Sequence, residues 1–504
     1  MGIFGLYTLG WPYVLDAYVL FMVCLGTVIG IVVGTLPGLT TTMSVAVMTP
    51  LTFTMSPQAA FALLMGTYCG AQYGCAISAV LVNIPGTPAG LMTILDGYPM
   101  AQRGEAGRAL GLSIWGSFIG GIVGIAVLGF FAPPIAEFAL RFGSQEYFGV
   151  MVFGLSVIVY VSYGSMIKGL FSGLLGILLG CIGFDPVTAY PRYYFGSVDL
   201  MGGLELIPMM IGCFGVAELL SIAEKKMSLP KAIYKITIRS LFPTLVEFIK
   251  LIPTLIRSSL IGLFIGILPA AGGTIASIVA YGVEKRCSKN PERFGHGAPE
   301  GVTAAETANN SSTGGAMIPF LTLGIPGDAV TAVLIGALLI HGLQPGPMLF
   351  QNNPEVVSSM FILLALSNFL FVIFGIVWAN GFARLINVSY GIMVPTIMTL
   401  CVVGSYAIRN SFFDIGVLGF FGILGFLMKK VEMSPAPMVL GFILGPMIEN
   451  NLRRGLISSF GDFSTFFTRP LSALFLSLTL LVLVSPYIVQ LFTGRKMERI
   501  VETD

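Results

Sequence analysis

The chain has 504 residues, of which 55% are hydrophobic and 10% charged, and its mean hydropathy is +0.90. This composition excludes a soluble globular domain and indicates a polytopic α-helical membrane protein. A net charge of +2 gives no sign of nucleic-acid binding, and seven cysteines without a Cys-x-x-Cys pair indicate neither a disulfide framework nor a zinc site.

The chain opens without Lys or Arg and without a small-residue cleavage pattern, so no secretory signal is expected. An apolar run at residues 13–33 has the length of a bilayer span, about 18 or more apolar residues. It runs into Gly-Thr-Leu-Pro-Gly, in which Gly34, Pro37 and Gly38 stop a helix, because Pro lacks the N–H and Gly gives up the most backbone entropy. In hydrocarbon a stopped helix bares N–H and C=O groups, which survive only when buried in protein or lining a wet cavity. Thr40, Thr41 and Thr42 follow where the next half-helix begins, and its free N–H groups and positive dipole end suit an anion.

A polar stretch at 67–74 (TYCGAQYG) leads to a second break, Asn83-Ile-Pro-Gly-Thr-Pro, containing Pro85, Gly86 and Thr87. Residues 96–108 (DGYPMAQRGEAGR) hold the first cations, Arg103 and Arg108, and read as a cytoplasmic loop, which places the N-terminus and the turn at 54–59 outside. Apolar runs follow at 109–131 and 147–163. The loop at 185–203, with Arg192 and the aromatics Tyr190, Tyr193, Tyr194 and Phe195, reads as external and interfacial. Residues 224–257 then gather Lys225, Lys226, Lys231, Lys235, Arg239, Lys250 and Arg257, the mark of a cytoplasmic link.

After the link the first half's order returns. Gly-Ile-Leu-Pro-Ala-Ala-Gly-Gly-Thr supplies Pro269, Gly272, Gly273 and Thr274, with Pro269 lying 232 residues after Pro37. A polar stretch at 306–315 (ETANNSSTGG) precedes Gly-Ile-Pro-Gly-Asp, which supplies Pro326, Gly327 and Asp328. The prolines of the two breaks are 48 residues apart in the first half and 57 in the second, which argues for an internal repeat. One half starts outside and the other inside, so the repeats are expected to be inverted. The cation-free residues 341–355 should then lie outside, and Lys429, Lys430 and the tail residues Arg495, Lys496 and Arg499 inside. A crossing segment at Pro269 would leave Lys285, Arg286, Lys289 and Arg293 outside, so a re-entrant hairpin is expected there. Further apolar runs at 356–379, 412–428 and 471–492 bring the total to roughly ten to twelve segments.

The expected fold is thus all-α, with two inverted repeats whose broken helices or re-entrant hairpins meet at the midplane. The first repeat spans residues 1–222, a cytoplasmic link 223–250, the second repeat 251–470, and a final helix and tail 471–504. Glu306, Asn309, Asn310, Ser311, Ser312 and Thr313 are costly in hydrocarbon unless they line a cavity or bind something; Glu306 is expected in a loop outside the bilayer. The polar and small groups nearest the breaks, Gly38, Thr41, Thr42, Asn83, Gly272, Gly273, Thr274, Ser312 and Thr313, are the candidate substrate-binding residues. Asp328 stands where a helix N-cap belongs, and with Thr87 it is a candidate oxygen ligand for a cation. His341 closes an apolar run and reads as interfacial. His-Glu-x-x-His, Gly-x-Ser-x-Gly and Walker signatures are missing, so neither an enzyme nor ATP-driven work is expected.

Taken in order, GTLPGLTTT, NIPGTPAG, GILPAAGGT and GIPGD resemble the large membrane subunit of the tripartite tricarboxylate transporters, over roughly residues 26–463. The resemblance places the family's glycine–proline breaks on Gly34, Pro37, Gly38, Pro85, Gly86, Pro269, Gly272, Gly273, Pro326 and Gly327. It implies a secondary transporter of the bacterial inner membrane, with a small membrane subunit and a periplasmic solute-binding protein as partners. The substrates it implies are carboxylates similar to citrate. From the residues themselves two readings stay open: a carrier coupled to Na⁺ or H⁺, without a cofactor, or a passive channel with paired half-helices. Na⁺ is preferred to H⁺ because neither histidine sits at a break.

Overall fold

Hydrocarbon leaves a backbone no solvent to bond with, so a chain this apolar must satisfy its N–H and C=O groups internally. The computed structural model describes residues 3–161, 166–185, 188–225, 236–269, 271–379, 381 and 390–493. Among the described residues everything regular is helical apart from a two-stranded ribbon, Gly183–Phe184 paired with Pro191–Arg192. Lys226, Lys231 and Lys235 of the link, Ala270 in the second hairpin, and the tail cations lie outside the described residues.

The first half runs α1 (Ile3–Val14), α2 (Ala17–Thr35), α3 (Thr41–Met48), α4 (Pro57–Val82), α5 (Leu91–Met100), α6 (Ala106–Ala139), α7 (Ser144–Val161) and α8 (Met166–Gly180). After the ribbon come α9 (Val198–Met201), α10 (Leu206–Met210) and, through a π-helical turn, α11 (Ala217–Lys225). The second half runs α12 (Leu245–Ile267), α13 (Gly272–Cys287), α14 (Pro299–Leu323), α15 (Ala329–Ile340), α16 (Pro347–Asn352) and α17 (Pro354–Val377). It ends with α18 (Tyr390–Arg409), α19 (Phe412–Lys430), α20 (Ala436–Ser458), α21 (Thr465–Thr468) and α22 (Pro470–Thr493). Seven helical stretches among the described residues are long and apolar enough to cross a membrane; others, such as α8 and α15, are apolar but shorter.

Glycine spacing decides how the helices meet. Gly26, Gly30 and Gly34 of α2 rest on the carbonyls of Leu63, Thr67 and Ala71 of α4, while Gly66, Gly70 and Gly74 rest on those of Val23, Thr27 and Ile31. A Cβ at any of these positions would run into backbone, and small residues are what allow such close approach where no hydrophobic drive exists between helices. The pairs rise together in number, so α2 and α4 run parallel and start level with one another. The chain must therefore come back between them, and α3 is the returning limb of a helical hairpin. Gly262 and Gly266 of α12 rest on Ala308 and Ser312 of α14 in the same way, so α13 is a returning limb too, as expected around Pro269. The two long helices α4 and α14 run in opposite directions: Tyr68 lies beside Thr313 and Asp328, whereas Gln72 lies beside Asn309. Each half also lends a helix to the other. Gly120 and Gly124 of α6 lie on Thr307 and Ser311 of α14, and Tyr73 of α4 stacks on Phe371 of α17 at 5.2 Å.

Three expectations are corrected. The run at 13–33 is not one helix: Asp16 interrupts it and caps α2, accepting from the N–H groups of Tyr18 and Val19. Residues 96–108 are not a loop but the end of α5, a π-helical turn at Ala101–Glu105 with Gly104 at φ 85°, and the start of α6. Asp96 is fully buried there, its Oδ1 accepting from the N–H groups of Gly295, Gly297 and Ala298 and its Oδ2 from the Tyr281 hydroxyl. Glu306 is not in an outside loop; it lies within α14 and is wholly buried. Polarity suggested loops at both places, but other segments of the chain supply hydrogen-bond partners, which removes the cost of burial.

Candidate functional site

The two hairpin tips are built alike. α2 ends on Leu36 (φ −80°, ψ 116°) and α12 on Leu268 (φ −75°, ψ 125°), and each of these N–H groups bonds back three residues, to Val33 and Ile265. The second breaks match as well: α4 ends on Asn83 (φ 60°, ψ 27°) and α14 on Gly324 (φ 72°, ψ 19°), both left-handed. Asn and Gly are the residues that tolerate this conformation, which explains how positions that differ in sequence perform one task. Asn83 is exposed, and its left-handed backbone turns the chain. Just beyond, Gly86 packs on the Gly34 carbonyl and Gly327 on the Ala316 backbone.

The returning limbs start close to one another. Thr40 caps α3, its hydroxyl accepting from the Met43 N–H at 3.1 Å. The Thr41 hydroxyl donates to Gln72 Oε1 at 3.0 Å. Gln72 also borders the other tip: a Cβ on Gly273, at the start of α13, would strike Asn309 Oδ1 and lie 2.7 Å from Gln72 Nε2. Asn309 Nδ2 donates to the Gln72 carbonyl at 3.1 Å, and its Oδ1 is buried without a hydrogen-bond partner. The Ser312 hydroxyl donates to the Asn309 carbonyl at 2.7 Å. Gln72 and Asn309 thus join the two hairpins, a connection between residues 237 apart in sequence.

Asp328 adds a carboxylate at the edge of this cluster. Its Oδ1 accepts from the Thr331 N–H at 2.7 Å in a reciprocal capping box that starts α15, and its Oδ2 accepts from the Tyr68 hydroxyl at 2.7 Å. Its Cβ is 3.3 Å from where a Cβ on Gly272 would stand. The Thr87 and Thr313 hydroxyls are buried and make no hydrogen bond of ordinary geometry; Thr313 borders Tyr68, and Thr87 borders Cys75. His341 is half-buried, its Nε2 3.3 Å from the Thr52 hydroxyl.

The tertiary structure therefore gathers Thr41, Gly272, Gly273, Ser312, Thr313 and Asp328, whereas Thr42 and Thr274 are half-buried on the returning limbs and Asn83 is exposed. The selection of site residues from the sequence missed Gln72 and Tyr68. Their signal was present, since an amide inside a long apolar helix is conspicuous. Chemically the cluster offers amides, hydroxyls and the N–H ends of two half-helices, which suit a carboxylate. No Lys or Arg forms an ion pair with Asp328 or Glu306 among the described residues. No group of three or more His, Cys, Asp or Glu side chains placed to hold a metal is found among them either.

Fold and site together define an all-α, multi-pass membrane protein organised around broken helices. Residues 20–440 match the family model described as the tripartite tricarboxylate transporter TctA family. The chain is 37% identical over 459 residues to an uncharacterised 52.8 kDa protein in the TAR-I ttuC' 3' region of Agrobacterium vitis, covering 91% of each. It is also 39% identical over 223 residues to an uncharacterised protein in the TAR-II ttuC' 3' region of the same organism, covering 44% of this chain and 92% of that protein. No solved structure gives a significant match. The chain belongs to the tripartite tricarboxylate transporter TctA family, a family of transporters and not of enzymes, whose members work in systems with other subunits.

Proposed function

We propose that the chain is the large membrane subunit of a binding-protein-dependent secondary transporter of the bacterial inner membrane. It takes up citrate-like tricarboxylates or related carboxylates by cation symport, with a small membrane subunit and a periplasmic solute-binding protein as partners. The observation that carries this reading is the convergence of two helical hairpins, read as re-entrant, on Gln72 and Asn309. There the free N–H groups of α3 and α13 suit a carboxylate without any fixed cation. Hydroxyls, carbonyls and Asp328 are hard oxygen ligands suited to Na⁺, the preferred coupling ion. Because Asp328 already accepts from Thr331 and Tyr68, it would offer an ion only its remaining lone pairs.

The halves, 1–222 and 251–470, are read as inverted repeats joined by a link at 223–250, with 471–504 forming a final helix and tail. The opposite course of α4 and α14 supports this, as do the matched tips at Leu36 and Leu268. Cys287, an exposed thiol at the end of α13, tests the topology directly. A membrane-impermeant maleimide is expected to label it only after permeabilisation, and to label Gln58→Cys in a Cys287→Ser background in intact cells. Labelling of both from one face removes the inverted arrangement.

Vesicle uptake of a panel of labelled di- and tricarboxylates, with and without the binding protein, tests the function. Saturable uptake that depends on a second ion supports the carrier; conductance without coupling supports the channel. Thr41→Val, which keeps shape and removes the hydroxyl bonded to Gln72, is expected to raise the apparent KM about 5- to 10-fold, the worth of about one hydrogen bond. Unchanged affinity and ion dependence in both Thr41→Val and Thr274→Val would place the site elsewhere.

A further inference from the structure

We propose that Glu306 is a proton-carrying site of the transport cycle, so that one of the coupling charges is H⁺. The proposal rests on the reading of the chain as a cation-coupled carrier and names one of its ions. Glu306 is wholly buried in α14, and its two oxygens are held from two other helices. Oε1 accepts from the Thr93 hydroxyl of α5 at 2.5 Å and Oε2 from the Ser117 hydroxyl of α6 at 3.2 Å.

Among the described residues no Lys or Arg forms an ion pair with it. The ionisable side chains bordering it from α4 are Tyr73 and Cys75. α5 contributes Asp96, whose oxygens are already taken by three N–H groups and by Tyr281 of α13. Glu284 of α13 is paired with Arg257 of α12 at 2.8 Å, and Arg108 of α6 is paired with Glu105 and Glu247, each at 2.6 Å. A carboxylate buried without a counter-charge is costly, and Glu306 has neither the arginine that pairs with Glu284 nor the three backbone N–H donors that hold Asp96.

The choice of hydroxyl partners carries the argument further. A Ser or Thr hydroxyl both donates and accepts, so Thr93 or Ser117 can bond a carboxylate and, after rotation about one bond, a carboxylic acid. A backbone N–H or a guanidinium only donates, so it could not accept the O–H of the acid form. The site is therefore built for two states with the backbone unmoved. In the step itself the Glu306 carboxylate takes a proton from water on one side of the membrane, forming one O–H bond. That bond breaks when the proton passes to water on the other side. Ser113, one turn before Ser117 on α6, has a buried hydroxyl without a hydrogen-bond partner and offers a further polar group along that helix.

The position suits coupling. Glu306 ties α14 of the second half to α5 and α6 of the first, and α5 is the helix that follows the break at Pro85. Asn309, which joins the hairpins, is on the next turn, and Asn310 Nδ2 donates to the Glu306 carbonyl at 3.1 Å. Loading or unloading the carboxyl thus changes a bond between the halves beside the candidate substrate site.

Infrared difference spectra of the reconstituted protein between acid and alkaline pH test the protonation without any substrate. A carboxylic-acid C=O band is expected that disappears in Glu306→Gln and shifts in Thr93→Val; a spectrum unaltered by Glu306→Gln overturns the proposal. The transport arm uses the labelled acid that gives saturable uptake in the panel above. Glu306→Gln is expected to retain tracer exchange, which moves no net proton, and to lose accumulation of about tenfold per unit of imposed pH gradient. Persistent pH-driven accumulation in this variant overturns the proposal. If Glu306→Gln does not assemble, Thr93→Val and Ser117→Ala, which keep the carboxyl, should move the pH midpoint of accumulation, and an unmoved midpoint overturns it. Wild-type accumulation that follows Na⁺ alone removes the proton while symport stands; accumulation on neither gradient removes symport itself.

Discussion

An imposed inward cation gradient is expected to make vesicles with an inside-negative potential accumulate the substrate, whereas an uncoupled pore in the same vesicles would exclude it. Each elementary negative charge brought inward costs about 2.3 kcal/mol per 100 mV, so a trianion costs about 7 kcal/mol. At about 1.4 kcal/mol per tenfold, that is a concentration ratio on the order of 10⁵ against uptake. A binding protein can raise affinity outside but supplies no sustained drive, and the chain has no Walker loop. The clustered groups at Gln72, Asn309, Thr41 and Gly273 are uncharged, so among the described residues they provide no fixed cation to offset the anion. Cotransported cations matching or exceeding the substrate charge would both neutralise and drive it. Initial rates and final levels under gradients imposed in either direction decide the matter; entry that ignores both gradients and follows the membrane potential favours the channel.

Gly86→Ala and Gly327→Ala are each expected to destabilise the protein by about 1–3 kcal/mol, although each adds a single methyl group. A Cβ on Gly86 would collide with the Gly34 carbonyl, and one on Gly327 would stand 2.5 Å from the Ala316 Cα. Both obstacles are backbone held by helix packing, so neither can yield as a flexible side chain would. Ala at Gly282, inside α13 where a Cβ meets nothing within 4 Å, is the control and should be at least as stable as wild type. Thermal unfolding in detergent, followed by the retained monodisperse fraction, measures all three. Equal melting of the three variants would remove the close-packing account of the second breaks.

The helix breaks were legible because they are local. Pro37, Pro85, Pro269 and Pro326 act on their own and the preceding turn, so their effect on a helix is visible in any window that contains them. The re-entrant hairpin at Pro269 could likewise be expected from the cations between Lys285 and Arg293. What these breaks do was less legible. Gly86 and Gly327 looked like helix breakers and turn out to be contact points. Asn83 looked like a polar site residue, yet its left-handed backbone and exposed side chain match a task that Gly324 performs with no side chain at all.

Glu306 and Asp96 show where reading by polarity fails. Both were placed in loops because a charged residue in an apolar chain usually marks water, yet each is buried with its oxygens bonded by groups from other elements. The partner pairs Thr93–Glu306, Gln72–Asn309 and Tyr68–Asp328 span 213, 237 and 260 residues. The sequence by itself determined the membrane class, the duplicated order of breaks and the conformations that Pro, Gly and Asn permit, because these follow from covalent geometry and composition. Only the tertiary structure decided which polar side chains meet. Burial of an amide or a carboxyl depends on the partner that satisfies it, and the partner is fixed by which helix faces lie close enough to touch.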